Sequence, residues 1–355
     1  MIPVTKTFLP PIEEYTSYVQ RAYDNGWLTN RGELVCELEA KLTEYLGLTD
    51  SKILCMNNGT IPLQIALKVL GKGGEIITTP FSYVATTAAI VWENCTPVFV
   101  DIHPEYLTID ESLIEAAITE KTTCILATHV FGNPCNVEEI ERIAKKHNLK
   151  VIYDAAHCFG VKYKGKSIFE YGDVSTCSFH ATKIFHTGEG GAIFCKDSEL
   201  FDTISLSHSF GHLGDEYFQL GINAKMSELQ AAMGLSVLKY MKSILKKRQN
   251  NFDNYLRNLK HNFKTLKVRE NTDYNYSYIP HIFNSERELK KTITKLTSIQ
   301  VNPRRYFFPS LNTINFYSEK KDCPISEKIS SLILCLPNYF ELSDSEIQVI
   351  CDQFD

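Results

Sequence analysis

A chain of 355 residues with 44% hydrophobic and 22% charged residues can bury a large core, and it is expected to divide into one large unit and a smaller one. A formal net charge of −5 argues against nucleic acid or an anionic membrane as a partner, and no run approaches the roughly 18 apolar residues of a membrane span. Eleven cysteines lie scattered without zinc-ligand or CxxC spacing, so they read as small buried apolar residues and not as a disulfide framework or a metal site.

The opening Met-Ile-Pro-Val-Thr-Lys lacks the pattern of a signal peptide, which leads to the expectation of a cytoplasmic protein. An extended, proline-containing arm leads to a helix-like segment, 13–23. The stretch Asn25-Gly-Trp-Leu-Thr-Asn-Arg-Gly32 follows, whose glycines and asparagines mark an ordered loop. Residues 34–45 have helical spacing. Lys52-Ile-Leu-Cys-Met-Asn-Asn-Gly-Thr60 reads as a strand and a turn before the helix 61–70. The free N–H groups of such a helix start suit a phosphate, and equally an ordinary turn and cap. Residues 75–86 read as a strand entering the helix 84–93, with Tyr83 at the transition. A strand 97–102, a helix 110–118 and a strand beginning at Cys124 come next. Asn136 with Glu139 has the spacing of a capping box for a helix 137–147. The run Lys150-Val-Ile-Tyr-Asp-Ala-Ala-His157 is a short apolar strand that delivers Asp154 and His157 at its carboxyl end, where open α/β sheets bind ligands. This alternation predicts a mainly parallel sheet covered by helices.

Polar, chemically capable residues are densest in Ser178-Phe-His-Ala-Thr-Lys-Ile-Phe-His-Thr-Gly-Glu-Gly-Gly191. Its centre, Lys183, lies on a connection between the β-type runs 174–179 and 191–195. An amine there becomes a nucleophile toward an aldehyde if burial depresses its pKa. A lysine of that kind, with a strand-end aspartate to pair with a pyridinium nitrogen, is the minimum equipment for pyridoxal 5′-phosphate. Residues 200–207 are helical in pattern, and a long, interrupted helix is expected from Gly221 to about Leu259, with Asn223 as a candidate cap. From about residue 245 the composition shifts, which divides the chain into 1–244, a large α/β unit including the arm, and 245–355, a smaller α/β unit. The latter carries an expected strand 276–283, a helix 285–296, and Arg304, Arg305 and Tyr306 among aromatics. Guanidinium donors suit phosphate oxygens, although solvated charges explain such a pair as well. Ser343 and Glu346 form a capping box for the last helix.

Asp-Ala-Ala-His at 154–157, Ser-Phe-His-Ala-Thr-Lys at 178–183 and Glu-Gly-Gly-Ala-Ile at 189–193 resemble, in order and spacing, the DegT/StrS-type nucleotide-sugar aminotransferases, a branch of the fold-type-I pyridoxal-phosphate enzymes. The resemblance implies that Lys183 is catalytic and binds the cofactor, which alternates with pyridoxamine 5′-phosphate. It implies that Gly59, Thr60 and Ser178 meet the cofactor's phosphate, that Tyr83 stacks on its ring, that Asp154 pairs with the ring nitrogen, and that His157 lies near the phenolic oxygen. Asn223 is implied to reach the phosphate from the partner subunit of a homodimer. Thr29, Asn30, Arg304, Arg305 and Tyr306 are the candidate substrate contacts. A related dehydratase subgroup carries His in place of the catalytic lysine, and Lys183 favours amino transfer over that chemistry. The Trp-Leu-Thr-Asn loop and Gly132-Asn-Pro-Cys-Asn-Val-Glu138 look most similar to enzymes that move an amino group from L-glutamate to C4 of dTDP-4-keto-6-deoxyglucose, for surface glycans such as O-antigen. A 3-keto isomer, a UDP-linked sugar, or a non-catalytic cofactor-binding regulator are the competing readings.

Overall fold

The computed structural model of the chain describes residues 1–317 and 321–354. A seven-stranded sheet runs in the order Lys52–Met56, Gly191–Cys195, Val174–Ser178, Lys150–Asp154, Thr122–Thr128, Glu75–Thr78, Thr96–Phe99. Gly191–Cys195 is antiparallel to both of its neighbours, and the remaining pairs are parallel. The sheet is therefore mixed, with five parallel strands and Lys52–Met56 all ending on one edge. Parallel strands covered on both faces must be apolar throughout, and alternation sorts their side chains. Ile53, Cys55, Ile125, Ala127, Val151, Tyr153 and Phe194 join one core. Leu54, Leu126, Ile152 and Ile193 join the other.

Helices Ile12–Asn25, Glu33–Leu46, Val137–His147 and Glu228–Leu238 contribute to the first core through Ala22, Leu38, Leu42, Ile140 and Leu235. The N-terminus of Glu33–Leu46 has only Gly32 as its cap. The buried Glu228 carboxylate serves it instead, accepting from Leu34 N at 2.6 Å and Val35 N at 3.2 Å; a negative charge suits that end of a helix. Asp101 does the same for Pro324–Leu332, accepting from Ile325 N and Ser326 N at 2.8 Å.

Several elements differ from the sequence expectations. The helix expected over 110–118 is two 3₁₀ turns, Glu111–Leu113 and Glu115–Ala117. The helix expected from Gly221 begins at Glu228 behind a Ser227–Gln230 capping box and breaks before Met241–Leu259. Residues before it are extended instead: Lys225 bridges Met56 and Asn223 bridges Ser209. Asn223 is thus not a helix cap. The strand expected from residue 276 starts at Ile279, since Tyr276 has a φ of 52°, outside the β region. Ile279–Ile282 pairs with Ile333–Leu336 over a third core that includes Tyr255, Leu289, Val301 and Ile347. The expected boundary at 244 and 245 falls inside the helix Met241–Leu259, and the arm's Ile2 and Pro3 pair with Val301 and Asn302.

Candidate active site

Ser178 and Gly191 are directly opposite one another in register, so the chain between them turns back over the sheet edge. Phe179 N donates to Gly190 O at 2.8 Å, Ala181 N to Gly188 O at 2.7 Å and Lys183 N to His180 O at 2.8 Å. Buried Phe179 and Phe185 pack edge to face at 4.9 Å, and Phe159 stacks on Phe185 at 4.3 Å. Lys183 is held on this anchored turn, and its side chain lines a cavity of about 370 Å³. Burial pushes its amine below the usual lysine range, while the Asp154 carboxylate pulls the other way.

Asp154 ends its strand in the same cavity and is buried. Its Oδ2 accepts from Thr86 Oγ1 at 2.6 Å and its Oδ1 from Ala156 N at 3.1 Å. Thr86 Oγ1 lies 2.7 Å from Ser82 Oγ, which lies 3.1 Å from Thr128 Oγ1. Burial pushes the Asp154 carboxyl up, and the Thr86 and Ala156 donors hold it back. A carboxylate so placed suits a protonated ring nitrogen. His157 Nδ1 accepts from Phe131 N at 3.2 Å, and its ring lies parallel to Phe307 at 5.8 Å. Burial, reinforced by Lys183, keeps this imidazole neutral.

At the strand end beside Ser178, Gly59 has no room for a side chain. A Cβ there would lie 2.5 Å from Ser178 Oγ and 2.6 Å from Ser178 Cβ. Thr60 N and Ile61 N, at the start of the helix Ile61–Ala66, donate to Asn58 Oδ1 at 2.8 and 2.9 Å. The close approach of Gly59 to Ser178, with a helix start beside it, is a cradle that suits a phosphate. Tyr83 lines the cavity with about half of its surface open, as a ring available for stacking must. Pyridoxal phosphate therefore fits the residues present: Lys183, the Asp154 carboxylate, the cradle and an open aromatic face share one cavity.

Of the remaining candidates, Arg304 and Tyr306 line the cavity, with the Arg304 guanidinium 5.7 Å from the Tyr306 ring centre. Arg305 does not. Its guanidinium donates to Ser330 O and Ser331 O, lies over Phe308 at 3.5 Å and faces Glu286 at 3.7 Å. Consecutive residues in extended backbone point oppositely, so one of an adjacent pair is turned away. Thr29, Asn30 and Asn223 are exposed and outside the cavity of their own chain. Among the described residues no group of three or more potential metal ligands comes together, and no helix is long and apolar enough to cross a membrane. Asn58, Ser82, Thr86, Thr128 and Tyr278 line or support the site without having been singled out from sequence. Asn58 could have been found as an Asx-turn former ahead of a helix, and Ser82 with Thr86 as hydroxyls four residues apart across a helix start. Nothing distinguished Tyr278 from a core aromatic.

Residues 11–355 match the model of the DegT/DnrJ/EryC1/StrS aminotransferase family. The chain is 41% identical over 355 residues to a dTDP-4-amino-4,6-dideoxy-D-glucose transaminase of Shigella dysenteriae, covering 98% of this chain and 96% of the relative. It is 31% identical over 360 residues to a GDP-perosamine synthase of Escherichia coli O157:H7, covering 100% and 98%. The crystal structure of DesI in the presence of its TDP-sugar product superposes with a TM-score of 0.93 at 28% identity, covering 99% of this chain and 91% of that one. With this match along nearly its whole length and a lysine and an aspartate converging at the strand ends, the chain belongs to the DegT/DnrJ/EryC1/StrS aminotransferase family and is a pyridoxal-phosphate-dependent aminotransferase.

Proposed function

We infer that this aminotransferase acts on a nucleotide-linked keto-sugar, and that it transfers the amino group of L-glutamate to C4 of dTDP-4-keto-6-deoxyglucose, giving dTDP-4-amino-4,6-dideoxyglucose for surface glycans such as O-antigen. The observation that carries the sugar assignment is the 41% identity to a transaminase of that name over 98% of the chain. The relative named GDP-perosamine synthase supports a second reading, a GDP-linked 4-keto sugar.

Bound pyridoxal phosphate supplies the electron sink that makes a neighbouring C–H bond acidic. Gly59, Thr60 and Ser178 would hold its phosphate end, Tyr83 would cover its ring, and the Asp154 carboxylate would favour a protonated ring nitrogen. His157, neutral in its buried setting, would position the phenolic side. Lys183 Nζ takes the proton from Cα of glutamate, and in the second half-reaction delivers a proton to the sugar carbon that becomes the amine. Its depressed pKa favours the neutral amine that such a base requires.

Asn223 of the partner subunit would complete the phosphate site in a homodimer, with Thr29 and Asn30 as further candidate contacts to the sugar. The segment before Asn223 supports this: Phe210, Leu213, Tyr217, Phe218 and Leu220 are exposed, Tyr217 by 78%, an apolar patch of the kind that marks an interface. Eleven free thiols support a cytoplasmic, reducing location.

The test is product identification by mass spectrometry and NMR, after incubation with L-glutamate and, separately, dTDP-4-keto-6-deoxyglucose, its 3-keto isomer, and UDP- and GDP-linked 4-keto-6-deoxyhexoses. The expected outcome is preferential amination of the first at C4. Preferential amination of any other acceptor would overturn the sugar assignment.

A further inference from the structure

Apart from Asp154, the cavity has one other carboxylate among its described lining residues, Glu189, and no step above employs it. It faces His180 across the turn that carries Lys183: His180 Nε2 is 3.5 Å from Glu189 Oε1. Both residues line the cavity, and both side chains keep much of their surface open.

Their placement is built. The Glu189 carbonyl accepts from Thr187 Oγ1 at 2.6 Å and from Gln230 Nε2 at 2.7 Å. Gln230 also donates to Asn57 O at 2.9 Å and belongs to the capping box of Glu228–Leu238. His180 is oriented from its other side. Thr182 N donates to His180 Nδ1 at 3.2 Å, with Thr182 Oγ1 at 2.8 Å. Because Nδ1 accepts, a neutral His180 ring carries its proton on Nε2, the nitrogen 3.5 Å from Glu189 Oε1. The cavity edge thus presents a carboxylate acceptor and an N–H donor side by side.

The chemistry of the ligands sorts itself against this pair. A dicarboxylic amino donor and a diphosphate are both anionic and are repelled by Glu189. Arg304, on the same cavity, has no carboxylate within ion-pair distance among the described residues and suits the diphosphate. What remains for a carboxylate beside an imidazole N–H is the neutral, hydroxyl-bearing ring.

We propose that His180 and Glu189 form the recognition site for the sugar ring, Glu189 accepting a hydrogen bond from a ring hydroxyl and His180 donating from Nε2. The inference rests on the nucleotide-sugar reading above and deepens it. It orients the acceptor, ring toward Glu189 and diphosphate toward Arg304, and it makes the site reject rings that bear a carboxylate of their own.

The test is calorimetric titration of the holoenzyme with dTDP-glucose, which is unreactive and retains ring hydroxyls, and with dTDP, which has no ring. Wild type should bind dTDP-glucose about tenfold tighter than dTDP, the scale of a hydrogen bond to a charged group. Glu189→Ala should erase that difference while leaving the dTDP affinity in place, and Glu189→Gln should restore part of it. His180→Phe should shrink the difference in the same direction. Equal affinity of wild type for the two ligands, or equal weakening of both by Glu189→Ala, would overturn the proposal. Binding of neither ligand by wild type would strike the nucleotide-sugar reading itself and take this inference with it.

Discussion

Asp154 Oδ2 accepts a 2.6 Å hydrogen bond from Thr86 Oγ1, a hydroxyl 68 residues away in sequence. The bond joins two connections on the same sheet edge, the one that delivers Asp154 and the one that carries Tyr83, and sets the rotation of the carboxylate. It also offsets part of the burial that would otherwise protonate the group. Thr86→Val keeps the shape and removes the donor. A hydrogen bond to a charged group contributes about 1.5–3 kcal/mol, so affinity for pyridoxal phosphate, followed by fluorescence titration, should fall by roughly tenfold or more, and Thr86→Ser should recover most of it.

Gly59 and Ser178 approach closely in the proposed phosphate cradle. A methyl group at residue 59 meets the Cβ of Ser178 at 2.6 Å and its Cα at 3.0 Å, atoms of a sheet strand that cannot rotate aside. Overpacking of this kind costs about 1–3 kcal/mol. Gly59→Ala should therefore weaken cofactor binding by about tenfold or more. Adding Ser178→Ala should not rescue it, because the offending Cβ remains.

Arg304 and Arg305 are adjacent and should behave oppositely. Arg304→Ala should raise KM for the nucleotide sugar by roughly tenfold, the scale of a charge-assisted phosphate contact, with little change in Tm. Arg305→Ala removes two carbonyl contacts and the packing over Phe308. It should cost about 1–2 kcal/mol of stability and leave KM nearly unchanged. Steady-state kinetics and thermal melts on the two variants separate the roles.

His129 gives the fold an acid limit. It is buried, stacked on Tyr153 at 4.4 Å, and accepts from Cys135 N through Nδ1 at 2.9 Å. Burial, aided by the Arg269 charge, lowers its pKa from 6.5 to about 3. His208 and His281 are lowered to about 4, mainly by burial. In each case the unfolded chain binds the proton first. The stability they contribute is fully present above pH 6.5 and is lost as the pH falls through that value toward about 3. Melting temperatures taken from pH 7.5 downward should begin to drop below 6.5, and His129→Asn should be less stable at pH 7.5 but show a shallower acid slope.

The parts legible in the sequence were those set by local patterning. A short apolar run and a β-type run marked the strands that end in Asp154 and Ser178, and Asn136 announced the helix Val137–His147, whose bounds match the expected ones. Lys183 stood out through the polar density around it, and the structure places it on a pinned turn. What was not legible depends on distant partners. Thr86 becomes a support for Asp154 only when two connections meet, and Gly59 is compelled only by the close approach of Ser178. The extended path of 221–226 follows from the bridge between Lys225 and Met56, which overrides local helical preference. Which of Arg304 and Arg305 faces the cavity follows from Ser330 and Ser331 holding the other, contacts 25 and 26 residues away.

The claim on which the rest depends is that Lys183 carries the amino transfer. The most direct measurement is the visible absorbance of pyridoxal-phosphate-loaded protein, wild type and Lys183→Ala, before and after L-glutamate and then dTDP-4-keto-6-deoxyglucose. The expected result is a lysine-dependent band in wild type that glutamate bleaches and the keto-sugar restores, absent from Lys183→Ala. A band of equal strength in Lys183→Ala, bleached and restored at the same rates, would contradict the account.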